Sequence, residues 1–284
     1  MANMLIAYRN HVDDGMLSGG FWTTGLPLAN LASRQPSQMA RSVDLASANT
    51  IAILDIGATR TVAFIGLLRH NLTQKGRWRI TLSDDPGFTT LIHDTGFIDI
   101  WPAITPFGVG DWGEFLWGGK LDPDLAGTYG IDGFHVLAGS IRCRYVRIEL
   151  SDPDNTAGYL EAGRLIVAPA WQPSINLQYG WSIEQVDQSR SVKSRGGQTY
   201  VDQRPKFRRL SFTLEHLGSD EMFGNAYELE RLKGKSGDVL VIVDPEDTQH
   251  RHRHSVYGLL AETTPIANPY NRRFAKEFII EELV

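Results

Sequence analysis

The side chains of this 284-residue chain best suited to chemistry fall into four groups, and each lacks the company that chemistry would need. His250, His252 and His254 alternate with Arg251 and Arg253. In a strand, where successive side chains point to opposite faces, the three imidazoles would share one face and could ligate zinc or copper. Two intervening arginines and the absence of a nearby cysteine favour a solvated loop ahead of the strand near Val256, with a pH-responsive contact as the next reading. Asp94, Asp99, Asp111 and Glu114 crowd the same stretch as Trp101, Trp112 and Trp117. Glycoside hydrolysis needs two carboxylates across a sugar cleft, but no catalytic motif surrounds these acids. Asp84-Asp85 and Asp152-Pro153-Asp154 could offer oxygens to calcium, and turn formation accounts for both equally well. The lone cysteine, Cys143, excludes an intrachain disulfide and a multi-cysteine metal site, and reads as a buried structural thiol. Neither a Gly-x-Ser-x-Gly elbow nor a phosphate loop occurs. The expectation is a non-enzymatic protein with no metal and no cofactor.

What remains is a binding surface, and Trp101, Trp112 and Trp117 are its candidate residues. They lie between Asp94 and Gly139, the least regular stretch, rich in glycine and aromatic side chains. A long loop of this kind commonly serves a surface or a ligand. The tryptophans could pin the loop to its own domain, dock into a neighbouring subunit or stack on a sugar.

The elements that must position this loop read as strands. Tyr145-Val146-Arg147-Ile148-Glu149-Leu150 alternates apolar and polar positions, the period of a strand with one wet face. Asp152-Pro153-Asp154-Asn155 breaks the run, and residues 159–167 resume it until Pro169. Residues 50–56, 61–68 and 78–82 are further strands separated by turns, the second apolar on both faces as a central strand would be. Regular short strands favour a sandwich over residues 49–170. Residues 1–48, with Gly19-Gly20, Pro27 and Pro36, read as an extended lead-in lying across another surface.

After a hinge around Pro169–Pro173 the character changes. In residues 175–284, strands at 180–186 and 207–215 flank a flexible tip at Ser194–Thr199. A helix opens at Ser219-Asp220-Glu221 and carries Met222, Phe223, Ala226, Tyr227, Leu229 and Leu232 as a buried stripe. Strands follow at 238–243, 255–262 and 274–284. The fold class is mainly β: an N-terminal jelly-roll β-sandwich, then an α+β barrel-like domain with one packed helix.

Composition agrees with two soluble domains. Hydrophobic residues at 42% suffice for real cores, and a net charge of −5 argues against a general nucleic-acid binder, whose phosphate contacts need a basic surface. No apolar run approaches the length of a membrane span, and no basic segment with an apolar core opens the chain, so neither membrane insertion nor a secretory signal is expected.

Residues 144–173 look like the closing strands of a discoidin-type, galactose-binding-like domain of the kind found in tailed-bacteriophage structural proteins. Asn30-Leu31-Ala32-Ser33-Arg34-Gln35, Ile53-Leu54-Asp55-Ile56-Gly57, His70-Asn71-Leu72 and Asp94-Thr95-Gly96 extend the likeness upstream in the expected order. The β-β-α-β-β-β order of the second domain resembles the small barrels of phage tail tubes and distal tail hubs. The resemblance implies a structural component of a phage tail or baseplate, assembled in the host cytoplasm and working in the virion. Other tail or baseplate proteins would be its partners, and β-rich subunit interfaces would join it into a ring homo-oligomer. The alternative it implies is a carbohydrate-binding host-attachment module that recognises a host surface glycan.

Overall fold

The computed structural model describes residues 3–103 and 132–284. The chain divides into two units. The sandwich unit comprises Arg9–Ala170 with Asp247–His252, and the sheet–helix unit comprises the chain up to Tyr8, Trp171–Glu246 and Arg253–Val284. Both are mainly β.

In the sheet–helix unit, β1 (Leu5–Ala7) pairs with β15 (Asp238–Ile242), and the sandwich unit occupies the chain between them up to Ala170. This corrects the extended lead-in expected over residues 1–48. Met4 to Tyr8 is an unbroken apolar run, and all five side chains are buried. Such a run is the mark of a strand covered on both faces. The rest of the supposed lead-in is sandwich: β2 (Met16–Ser18) pairs with β4 (Ile51–Leu68), and Val12, Leu28, Leu31 and Ala40 enter its core.

The sandwich hangs on β4 and β8 (Gly133–Ser151), two long antiparallel strands whose ladder is interrupted twice, between Asp55 and Arg60 and between Val62 and Phe64. Bulges bend strands. One end of the pair is flanked by β5 (Arg77–Ser83) on β8, the other by β10 (Arg164–Ala168) on β4. Leu54, Ile56, Ile65, Leu67, Trp78, Ile148, Leu165 and Val167 share one core drawn from both ends. Val146, Ile148 and Leu150 of β8 are buried while Tyr145, Arg147 and Glu149 are half-buried, the expected alternation. The stretch 64–68 is buried throughout because it pairs with β8 on one side and β10 on the other. Gly163 separates β9 (Glu161–Ala162) from β10, and a Cβ there would sit 2.1 Å from the Pro36 carbonyl oxygen, so no larger residue fits.

The first residue of β10, Arg164, is wholly buried. Its guanidinium donates to an Asp13 carboxylate oxygen and to the Ala32 carbonyl, tying the two lead-in segments to the sandwich.

The sheet of the other unit runs β1, β15, β16 (Ser255–Leu260), β18 (Arg273–Glu282), β14 (Lys206–Leu217) and β11 (Ser182–Asp187), with β17 (Ala267–Tyr270) beside β18. Among the described residues the ladder ends at β1 and β11, so the expected barrel-like domain is an open antiparallel sheet. Helical residues 219–233 form α1 (Ser219–Glu221), a π turn (Met222–Tyr227) and α2 (Glu228–Lys233). The six-residue stripe expected there is narrower in the structure. Met222, Ala226 and Leu229 are buried against the sheet, whereas Phe223, Tyr227 and Leu232 are 46–47% exposed. A position one residue on lies about 100° around a helix, so one stripe cannot hold both sets.

Candidate binding surfaces

Trp101 is not a ligand-stacking residue. It is 7% exposed, lies in the sandwich core, and its indole N–H donates to the Leu72 carbonyl at 2.8 Å. A ring fixed on both counts has no face to offer. Trp112 and Trp117 lie outside the described residues, as do Asp111 and Glu114.

The remaining acids are engaged. Asp94 accepts from Arg79 Nε at 2.8 Å and from the Gly96 amide at 2.9 Å, and the Arg79 guanidinium holds its carboxyl well below the usual carboxylate range. Asp99 pairs with Arg77 at 3.1 Å. Asp85 caps its own turn through the Gly87 and Thr89 amides, and Asp152 binds the Thr73 amide and hydroxyl. Asp85 thus acts as a turn former, whereas the Asp152 carboxylate ties its turn to Thr73, remote in sequence. Cys143 is wholly buried, and burial pushes its thiol up to about 12. The histidine array does not align its rings, because Arg251–His254 form a helical turn, α3, in which His252 and His254 diverge. His250 is exposed and His254 buried, so the segment is only partly the solvated loop expected.

Two surfaces stand out. The first is on the sandwich, where the outward side chains of β8 meet β6 (His93–Asp94) and the turn at Phe88. Arg79 bridges Asp94 and Glu149, Arg147 pairs with Glu149 at 2.9 Å and lies over the Phe88 ring at 4.6 Å, and Phe88 meets Tyr145 edge-on. Arg144 lies over Tyr145 at 5.0 Å and donates to both Asp55 oxygens at 2.9 and 3.0 Å, which lowers the Asp55 pKa. The result is a row of guanidinium and carboxylate groups around the half-buried Tyr145 ring, with the Phe88 ring buried beneath Arg147. Sequence alternation reveals its wet face, but the cross-strand partners come from register alone.

The second surface lies on the sheet–helix unit. Beyond the β11–β14 pair the hairpin continues as β12 (Arg190–Lys193) and β13 (Thr199–Asp202), joined through Ser194–Gly197 with Gly197 at φ 83°. Every residue of this two-stranded ribbon is exposed on both faces, including Val192 (67%), Tyr200 (60%) and Val201 (62%). An isolated two-stranded ribbon is marginal in water.

Burial also sets a pH dependence in the sandwich. The ring nitrogens of His70 are buried, and desolvation lowers its pKa to about 4; His135 and His11 are lowered in the same direction, mainly by burial. Between pH 6.5 and 4 the unfolded chain binds protons that the folded unit refuses, so stability falls as pH drops through that window. His70 alone should remove about 2 kcal/mol between pH 7 and pH 5. Urea midpoints at the two pH values check this, and His70→Gln should flatten the difference; an unchanged slope would show that other groups carry it.

Comparison with known proteins gives structural neighbours only. No family profile matches the chain, and no curated protein does. Among solved structures it is similar to the family 32 carbohydrate-binding module of Clostridium perfringens NanJ in complex with galactose, at 12% identity and a TM-score of 0.37, covering 57% of this chain and 98% of that one. It is also similar to CBM32-1 from a family 31 glycoside hydrolase of Clostridium perfringens, at 15% identity, a TM-score of 0.34 and the same coverage. A mutant lectin binding domain of Lectinolysin complexed with Lewis b matches at 13% identity and a TM-score of 0.39, over 57% of this chain and 97% of that one. Likenesses this distant leave the function to be argued from residues.

Proposed function

We propose that this chain is a non-catalytic attachment and assembly protein, in keeping with the tail or baseplate role implied by the resemblance of its sequence to phage structural proteins. The observation that carries the assembly part is the β12–β13 ribbon, which displays Val192, Tyr200 and Val201 to solvent on a scaffold too thin to bury them. Ribbons gain stability by laying main-chain and apolar groups on another surface. Its working place is then the virion, among other tail or baseplate proteins. The experiment is sedimentation velocity over a concentration series, with the chain compared to a version in which residues 190–202 are replaced by a two-residue turn. Association present in the first and absent in the second supports the reading; a monomer in both at every concentration overturns it.

A second reading has its own support. The half-buried Tyr145 ring stands beside the charged hydrogen-bonding groups of Arg144, Arg147 and Glu149, a combination suited to a sugar's C–H face and hydroxyls, so the sandwich also serves as a carbohydrate-recognition surface. Glycan-array binding by the whole protein should fall at least tenfold in Tyr145→Ala if this face is used. Loss in Trp112→Ala or Trp117→Ala, with Tyr145→Ala unaffected, would move the site to those tryptophans. No glycan bound by any form would remove the reading.

A further inference from the structure

One stretch of the sheet–helix unit is exposed at every position. It runs from Arg190 to Lys206, takes in β12, its turn, β13 and the start of β14, and is the longest such run among the described residues. The ladder from Arg190–Asp202 to Lys193–Thr199 holds its two strands together, and the Ser194 and Gly197 amides close the turn onto the Gln198 and Ser194 carbonyls. None of these residues belongs to the apolar core of the unit. Opening the ribbon therefore breaks its own bonds and exposes no core, which places it at the low end of local stability.

A protease must draw several residues on either side of the bond it cuts out of the fold, and exposed loop tips yield them most readily. Arg195 lies in the turn, with exposed residues before it and Gly196-Gly197 after it. The other ribbon arginines are less open. Arg190 follows closely on Asp187, which is anchored in the β11–β14 ladder, and Arg204 precedes Pro205, whose ring restricts the backbone before it. Arg272 and Arg273, at the β17–β18 turn, are tied down: Asn268 donates to the Arg273 carbonyl, Arg273 donates to the His216 carbonyl, and Tyr270 stacks on His216.

We propose that the ribbon tip is a cleavage site for an endopeptidase that reads an arginine side chain, cut between Arg195 and Gly196, and that the nicked chain stays together as one folded molecule. Water adds across that peptide bond, leaving a carboxylate on Arg195 and an amine on Gly196. Two ladders cross the cut, β1 with β15 and β11 with β14. Met4, Ile6 and Trp171 before it share a core with Leu210, Phe212 and Val241 after it. The cut thus costs the ribbon and spares the sheet. This site stands apart from the assembly reading, although a ribbon seated on another copy would be shielded.

The test is limited digestion of the full chain with an arginine-specific endopeptidase, at a concentration where sedimentation shows a single copy. Mass spectrometry should find the first cut after Arg195, and the two fragments should co-elute at the volume of the intact chain until denaturant is added. Arg195→Lys keeps the charge and the fold but removes the side chain that the protease reads, and should slow the first cut at least about tenfold. A first cut at another arginine, or an unchanged rate in Arg195→Lys, would overturn the site. Fragments that part without denaturant would overturn the survival of the fold.

Discussion

Asp13→Ala is expected to destabilise the sandwich by about 3–5 kcal/mol, the cost of removing one partner of a buried ion pair. Its partner Arg164 is wholly buried at the start of β10 and donates to Asp13 and to the Ala32 carbonyl, so the substitution takes a carboxylate away from a buried cation. Arg164 cannot escape by deprotonation, since a guanidinium holds its proton throughout the accessible pH range. The double variant Asp13→Leu with Arg164→Met should recover much of the loss, because removing both charges deletes the desolvation penalty as well as the attraction. Chemical denaturation of the three proteins checks this. A single-variant loss below about 1 kcal/mol would mean that water reaches the guanidinium.

Trp101→Ala should cost about 3–5 kcal/mol through the cavity left in the core, and Trp101→Phe distinctly less, the remainder being the lost bond to the Leu72 carbonyl. This matters for any test of sugar recognition. A glycan signal abolished by Trp101→Ala reports unfolding, whereas Tyr145→Ala removes a half-exposed ring from the surface. Thermal melts run beside the binding assay separate the two. If Trp101→Ala melts like the parent chain, its core placement is wrong.

Much of the scaffold is legible in the residues, because strand alternation is a local signal. Tyr145–Leu150 and Phe207–Glu215 fall in strands whose buried positions follow the expected period, and Trp78–Leu82 falls in a strand that is also buried at Thr81. The buried thiol of Cys143 and the turn-forming Asp85 are equally readable. What escaped is non-local. Met4–Tyr8 carries a buried-strand signature, but its partner, β15, lies near the other end of the chain, and proline and glycine further along masked it. Trp101 was grouped with Trp112 and Trp117 by proximity in sequence, while its role depends on Leu72 across the fold. Arg164 is a charged residue in a strand, and its non-local neighbours Asp13 and Ala32 hold it as a buried cation. The helix stripe was drawn too wide because hydrophobic type alone does not say which aromatic faces inward.

Synthesis on the ribosome gives the β1–β15 pairing a temporal meaning. Leu5, Ile6 and Ala7 emerge before the sandwich, yet their ladder partners Ile242, Val241 and Leu240 emerge well after Ala170. The sandwich strands from Met16 to Ala168 are translated in the interval and can close most of their own core while β1 waits unpaired. A nascent chain halted before Asp238 would therefore hold a sandwich that lacks only Asp247–His252, and an apolar peptide with nowhere to go, a stage at which a chaperone has something to hold.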